Sequence, residues 1–153
     1  MSARFPLATS SWDQAEQDAL QRVIKSDMFS MGAEVRTFEE QFADHFGAKY
    51  AVMVNSGSSA NLLMTGALFY TQNEDLRLKT GDEVIVPAVS WSTTYYPLAQ
   101  YGLVQKFVDI DRSTLNYDLD ALEAAVTDQT RAIMVVNLLG NPNDFDRIKA
   151  IIG

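Results

Sequence analysis

After Gly47 the chain alternates short apolar runs with helix-length segments, and no other feature limits its possible folds as strongly. The runs cover residues 50–54, 84–86, 104–110 and 132–136. Helices are predicted between them over 58–71, 92–101 and 119–126, with a further one over 145–152. Strands and helices in this order predict an α/β fold whose mostly parallel sheet is flanked by helices. Sheets of this kind bind ligands beyond the carboxyl ends of their strands.

Two more helices precede the alternation. Trp12, Ala15, Ala19, Leu20, Val23 and Ile24 recur mostly three or four apart, predicting a helix over 11–25 with Ser11 and Gln14 as a capping box. Phe38, Phe42 and Phe46 predict a helix over 35–46 with Gly47 as its stop. The least ordered stretches are expected at 72–82, which is polar, and at 27–32. No repeat, low-complexity tract or linker stands out.

Composition removes several function classes. The chain has no cysteine, so neither a disulfide framework nor thiolate chemistry is available. Its only histidine, His45, falls near the end of a predicted helix, where a partly exposed, non-catalytic ring is the expectation. Twelve basic against twenty acidic side chains give a formal charge of −8, and the basic ones are scattered singly, which argues against nucleic acid as a partner. No apolar run reaches the roughly 18 to 20 residues that a spanning helix needs, and no secretory signal is visible, so a cytoplasmic, non-membrane protein is expected.

Three predicted strand ends carry unusual residues. At the first, Val54 leads through Asn55, Ser56, Gly57, Ser58 and Ser59 directly into a helix. Backbone N–H groups, hydroxyls and the positive helix end converge there, and a partly buried phosphate would gain about 1 to 2 kcal/mol from the helix field alone. The pattern is neither the dinucleotide nor the triphosphate-loop motif, and it serves equally as an N-cap with a tight turn. At the second end, Trp91 stands among Ser90, Ser92, Thr93 and Thr94. An indole at a strand's carboxyl end suits stacking on a planar ring, although Trp91 alone reads first as a core residue. At the third, Asn137 precedes Gly140, Asn141, Pro142 and Asn143, where it either faces a ligand or belongs to an ordinary turn.

In this order, residues 55–63 (NSGSSANLL), 86–97 (VPAVSWSTTYYP) and 136–142 (VNLLGNP) resemble the DegT/StrS sugar aminotransferases and their dehydratase relatives. Pro6, Leu7, Ala8, Trp12 and residues 28–32 (MFSMG) extend the likeness. The resemblance implies the large domain of the aspartate-aminotransferase fold, with pyridoxal 5′-phosphate or pyridoxamine 5′-phosphate as cofactor. Gly57 and Ser58, and less strongly Ser59, would bind its phosphate, and Trp91 would stack on its ring. Met31, Gly32 and Asn137 would line the active site.

The same resemblance implies an enzyme of nucleotide-deoxysugar biosynthesis such as a 3-dehydratase, or alternatively an aminotransferase. A GDP-sugar substrate is favoured, with glutamate as amino donor and a homodimer as the assembly. Residues 1–34 would form an amino-terminal helix and a segment near the active site, and 35–153 the first part of the large domain. Family members are more than twice this long, and their catalytic lysine or histidine follows later strands, so the chain reads as an amino-terminal portion that is inactive alone. The run 50–54 would lack its sheet neighbour and is expected to be poorly paired. A reading of a different class is a non-catalytic phosphate-binding or interaction module.

Overall fold

A computed structural model describes residues 9–153, so Pro6, Leu7 and Ala8 lie outside the described residues. The chain divides into two compact units, Met1–Met53 and Val54–Gly153. The boundary expected after residue 34 falls inside a helix of the first unit.

The first unit holds α1 (Gln14–Ser26) and α2 (Ala33–Phe46). The cap of α1 is Asp13, not Ser11: its carboxylate accepts from the Ala15 N–H at 2.7 Å, and Glu16 reaches back to the Asp13 N–H at 2.8 Å. The helix starts later than the periodicity suggests because this acidic box satisfies two N–H groups otherwise left open. α2 ends as expected at Gly47, which takes the left-handed conformation (φ 65°). Along α2 the rings of Phe38, Phe42 and Phe46 lie 5.7 Å and 4.6 Å apart, centroid to centroid. The exposed His45 meets Phe46 edge-on in the last turn.

The second unit is a three-stranded parallel sheet, order β2-β1-β3, formed by β1 (Glu83–Pro87), β2 (Val104–Val108) and β3 (Thr130–Ile133). Its helices are α3 (Gly57–Tyr70), α4 (Ser92–Gln100), α5 (Leu119–Ala125) and α6 (Phe145–Ile152). The central β1 is apolar on both faces because both are covered. Val84 and Val86 pack with Leu68, Leu78 and Leu98, while Ile85, fully buried, packs with Val108, Tyr117, Leu122 and Ile148. Burying each of these aliphatic side chains contributes about 1.5 to 3 kcal/mol, which makes β1 the anchor of the unit. Tyr117 ties the layer that carries Leu122 and Ile148 to the sheet, its hydroxyl donating to the Met134 carbonyl at 2.9 Å and, more weakly, to that of Ile85 at 3.4 Å.

The run 50–54, expected to be poorly paired, forms no strand among the described residues; the Met53 N–H instead donates to the Glu39 carboxylate at 2.8 Å, so a side chain takes the place of a ladder neighbour. Three expectations need correction. β3 begins two residues early and ends at Ile133, with Met134 still donating to Ile85 at 2.8 Å, because Thr130 is anchored through its hydroxyl to Glu83. β2 stops at Val108, and Ile110 instead bridges Tyr117 in antiparallel fashion. The stretch 72–82 is ordered: a 3-10 turn, Glu74–Leu76, is capped by Asn73, and the following Leu78 is buried and donates its N–H to Leu68 at 3.0 Å.

Candidate functional site

The sequence supplies an acidic first turn to most of its helices: Glu16 in α1, Glu34 in α2, Asp120 in α5 and Asp146 in α6. α3 and α4 have none. Their positive ends are therefore not offset by their own side chains and are the ones open to an anionic ligand. These two helices pack on the same side of the sheet, and the Asn61 side chain on α3 donates to the Thr93 carbonyl in the first turn of α4 at 3.2 Å.

At the start of α3, Ser56 is the N-cap, its hydroxyl oxygen accepting from the Ser59 N–H at 3.2 Å. The Ser56 hydroxyl also donates to the Ser59 hydroxyl oxygen at 3.2 Å. The Gly57 and Ser58 N–H groups, at the first two helical positions, have no partner among the described residues. A Cβ built at Gly57 would meet nothing within 4 Å, and its φ is not in the left-handed region. Neither backbone strain nor crowding within this chain demands glycine there; the open space suits close approach of a ligand to the backbone. The N-cap reading and the phosphate-cup reading thus describe different groups of one turn, with Ser59 serving mainly the cap.

Trp91 is the N-cap residue of α4 and is 73% exposed, so it is not a core residue in this chain. Its backbone is held on several sides. The Trp91 carbonyl accepts from the Thr94 N–H at 2.9 Å, Ser90 and Thr94 share a hydroxyl hydrogen bond at 2.8 Å, and the Tyr95 hydroxyl donates to the Pro87 carbonyl at 2.8 Å. Desolvation raises the Tyr95 pKa, and the bond with Ser90 opposes that shift, so the phenol is a neutral donor at ordinary pH. A rigid backbone carrying an uncovered indole is suited to stacking on a flat ring.

Between the helices a cleft of about 210 Å³ is lined by Ser58, Ser59, Leu62, Thr93 and Tyr96, without Trp91. A larger cavity of about 540 Å³, lined by β3, α6 and the turn before β3, shares no residue with it. The smaller one lies where the chemistry of the helix ends is.

Asn137, exposed, follows β3 at the same end of the sheet, and its side-chain oxygen is engaged by Asn143. In the first unit, Met31 is exposed with φ 20°, and Gly32 is the N-cap of α2. A Cβ at Gly32 would fall 2.6 Å from the Met28 side chain, so close packing with Met28 favours glycine there. Sequence reasoning gave no role to Asn61, Tyr117 or Asn143. Only Asn61, the one amide on a helix otherwise built of apolar and small hydroxyl residues, carried a signal that could have marked it. Among the described residues no cluster of His, Cys, Asp or Glu could hold a metal ion, and no helix is long and apolar enough to cross a membrane.

Residues 10–152 match the DegT/DnrJ/EryC1/StrS aminotransferase family. The chain is 63% identical over 147 residues to a GDP-4-keto-6-deoxy-D-mannose 3-dehydratase of Yersinia pseudotuberculosis, covering 96% of this chain and 37% of that protein. To the Escherichia coli O55:H7 (strain CB9615 / EPEC) protein of the same name it is 64% identical over 149 residues, or 97% of this chain and 38% of that one. A solved E. coli GDP-4-keto-6-deoxy-D-mannose-3-dehydratase with bound hydrated PLP superposes with a TM-score of 0.93 at 63% identity, covering 98% of this chain and 38% of the other. The chain therefore spans under two fifths of the length of these relatives.

Proposed function

Because the chain belongs to the DegT/DnrJ/EryC1/StrS aminotransferase family, we propose that it supplies the cofactor-phosphate and ring-stacking elements of a PLP/PMP-dependent nucleotide-sugar 3-dehydratase. The substrate by this reading is a GDP-4-keto-6-deoxy sugar, with glutamate as amino donor and a homodimer as the working assembly. The observation that carries it is the pair of helix starts, α3 and α4, that lack acidic first turns and are linked through Asn61 and Thr93.

The residues present suit the cofactor. The N–H groups of Gly57 and Ser58 would hold its phosphate, aided by the positive end of α3, and the open space at Gly57 leaves room for that approach. Trp91 would cover one face of its ring, fixing the ring plane and keeping water from that face. Asn137 completes the proposed lining within the second unit, Met31 and Gly32 of the first unit are assigned to the active site by the family resemblance alone, and Ser59 contributes chiefly by capping the turn that carries the phosphate donors. When bound, the cofactor supplies an electron sink next to the sugar carbon.

Titration of the chain with pyridoxal 5′-phosphate tests the reading, with Trp12→Phe introduced so that fluorescence reports Trp91 alone. Saturable quenching together with a change in the cofactor absorbance is the expected result. No response to pyridoxal 5′-phosphate, with tight binding of another phosphorylated compound, would favour a phosphate-binding module instead.

A further inference from the structure

Asn137 and Asn143 close a short loop after β3. The Asn143 N–H donates to Asn137 Oδ1 at 3.1 Å, and Asn143 Nδ2 donates both to Asn137 Oδ1 at 3.0 Å and to the Val136 carbonyl at 2.8 Å. A backbone N–H can only donate and a backbone carbonyl can only accept. Turning the Asn137 amide over would set its NH₂ against the Asn143 N–H, and turning Asn143 would set its oxygen against the Val136 carbonyl. Two backbone groups therefore fix both amide orientations, a stronger constraint than a side-chain pair alone would give.

Asn143 is 6% exposed and so is held in place, whereas Asn137 is exposed and its Nδ2 has no partner among the described residues. The rest of the loop is pinned as well: Asn116 Nδ2 donates to the Pro142 carbonyl at 2.9 Å and the Asn141 carbonyl at 3.3 Å, and Asn141 Nδ2 donates to the Thr114 carbonyl at 2.7 Å. These contacts hold Leu139 in the left-handed region (φ 55°), a conformation that costs a leucine energy. Because β1 and β3 are parallel neighbours, Asn137 and Trp91 both follow carboxyl ends of adjacent strands.

We infer that Asn143 positions Asn137 as a donor-only amide, and that Asn137 Nδ2 donates to an acceptor oxygen on a ligand bound at the carboxyl end of the sheet. The inference rests on the cofactor-site reading above. Two ligands bring such an oxygen: the hydroxyl on the pyridine ring of the cofactor, or a hydroxyl or keto oxygen of the nucleotide sugar.

The variant Asn137→Asp separates the two sides of the amide. It keeps an oxygen to accept both Asn143 bonds and replaces the outward NH₂ with a second oxygen. Affinities for pyridoxal 5′-phosphate and for GDP-mannose are measured on wild type, N137D, N137A, N143A and the double variant N137A/N143A, with far-UV circular dichroism as the check of folding. N137D is expected to weaken at least one of the probes about tenfold or more, consistent with loss of a hydrogen bond and its replacement by repulsion. Weakening of pyridoxal 5′-phosphate alone identifies the ring hydroxyl as the acceptor, and weakening of GDP-mannose alone identifies the sugar. N143A should weaken the same probe when Asn137 is present and add nothing in the N137A background; a purely structural Asn143 would cost the same in both. If N137D loses its fold, Asn137→Ser, which keeps an acceptor for the Asn143 N–H, replaces it. Unchanged affinity of a folded N137D for both probes would overturn the inference and leave the cofactor site standing. A wild-type chain that binds neither probe would overturn that reading and this inference with it.

Discussion

The side-chain amide of Asn61 reaches the Thr93 carbonyl at 3.2 Å, joining the second turn of α3 to the first turn of α4. The bond sets the spacing between the phosphate donors on one helix and the segment carrying Trp91 on the other. Asn61→Ala should lower stability by about 0.5 to 1.5 kcal/mol, the range for a neutral hydrogen bond, and weaken pyridoxal 5′-phosphate binding. Asn61→Asp should not rescue it, because a carboxylate cannot donate to a carbonyl. Urea unfolding and cofactor titration of both variants check the two effects.

Gly57 offers a test in which stability and affinity move in opposite directions. A Cβ there meets open space, so Gly57→Ala should leave the chain as stable or stabilise it by about 0.4 to 1 kcal/mol through the unfolded state. The same methyl group would stand in the path of a phosphate approaching the backbone, and cofactor affinity should fall. Equal affinity in the two proteins, measured by titration, would remove Gly57 from the site.

Trp91→Ala removes an exposed ring, so stability should change by no more than about 0.5 kcal/mol. Loss of ring stacking should weaken cofactor binding by about 0.5 to 1.5 kcal/mol, roughly two- to tenfold. Thermal melts and fluorescence-independent binding, such as calorimetry, separate these outcomes.

Tyr117 makes stability sensitive to alkaline pH. It is 3% exposed, and burial, assisted by the neighbouring Tyr95, raises its pKa far above the usual tyrosine value. The native phenol stays protonated while the unfolded one ionises near pH 10, so its contribution is complete below about pH 10 and is lost as the pH rises beyond it. Tyr117→Phe should cost about 1 to 2 kcal/mol at neutral pH, through the bond to Met134, and flatten the fall in stability above pH 10. Denaturant midpoints collected from pH 7 to 11 provide the check.

Helices were legible in the sequence where local signals agreed with tertiary packing. The predicted bounds 145–152 coincide with α6, whose start the Asp144 side chain fixes by accepting from the Arg147 N–H. Gly47 likewise ended α2 on its own left-handed conformation. Strand limits were less legible, because pairing depends on partners distant in the chain: the hydroxyl of Thr130 on Glu83, 47 residues apart, moves β3 toward the amino terminus. Residues 50–54 have strand composition without a ladder partner; composition alone cannot show that lack, which only the family resemblance led one to expect. At the candidate site the residue types were readable, namely small hydroxyls, an indole and an asparagine. The contacts that orient them, Asn61 to Thr93 and Asn143 to Asn137, join side chains to backbone groups whose positions only the fold determines.

The central place of β1 has a consequence for synthesis on the ribosome. Its partners are encoded later: Glu83 pairs with Val104, 21 residues on, and with Thr130, 47 residues on. At about 5 to 20 residues per second, β1 waits roughly 2 to 9 seconds between its own emergence and that of its second neighbour. During that interval Val84, Ile85 and Val86, which are almost completely buried in the finished sheet, have no finished sheet to enter. The segment that anchors the folded unit is thus the nascent segment most in need of a chaperone's cover.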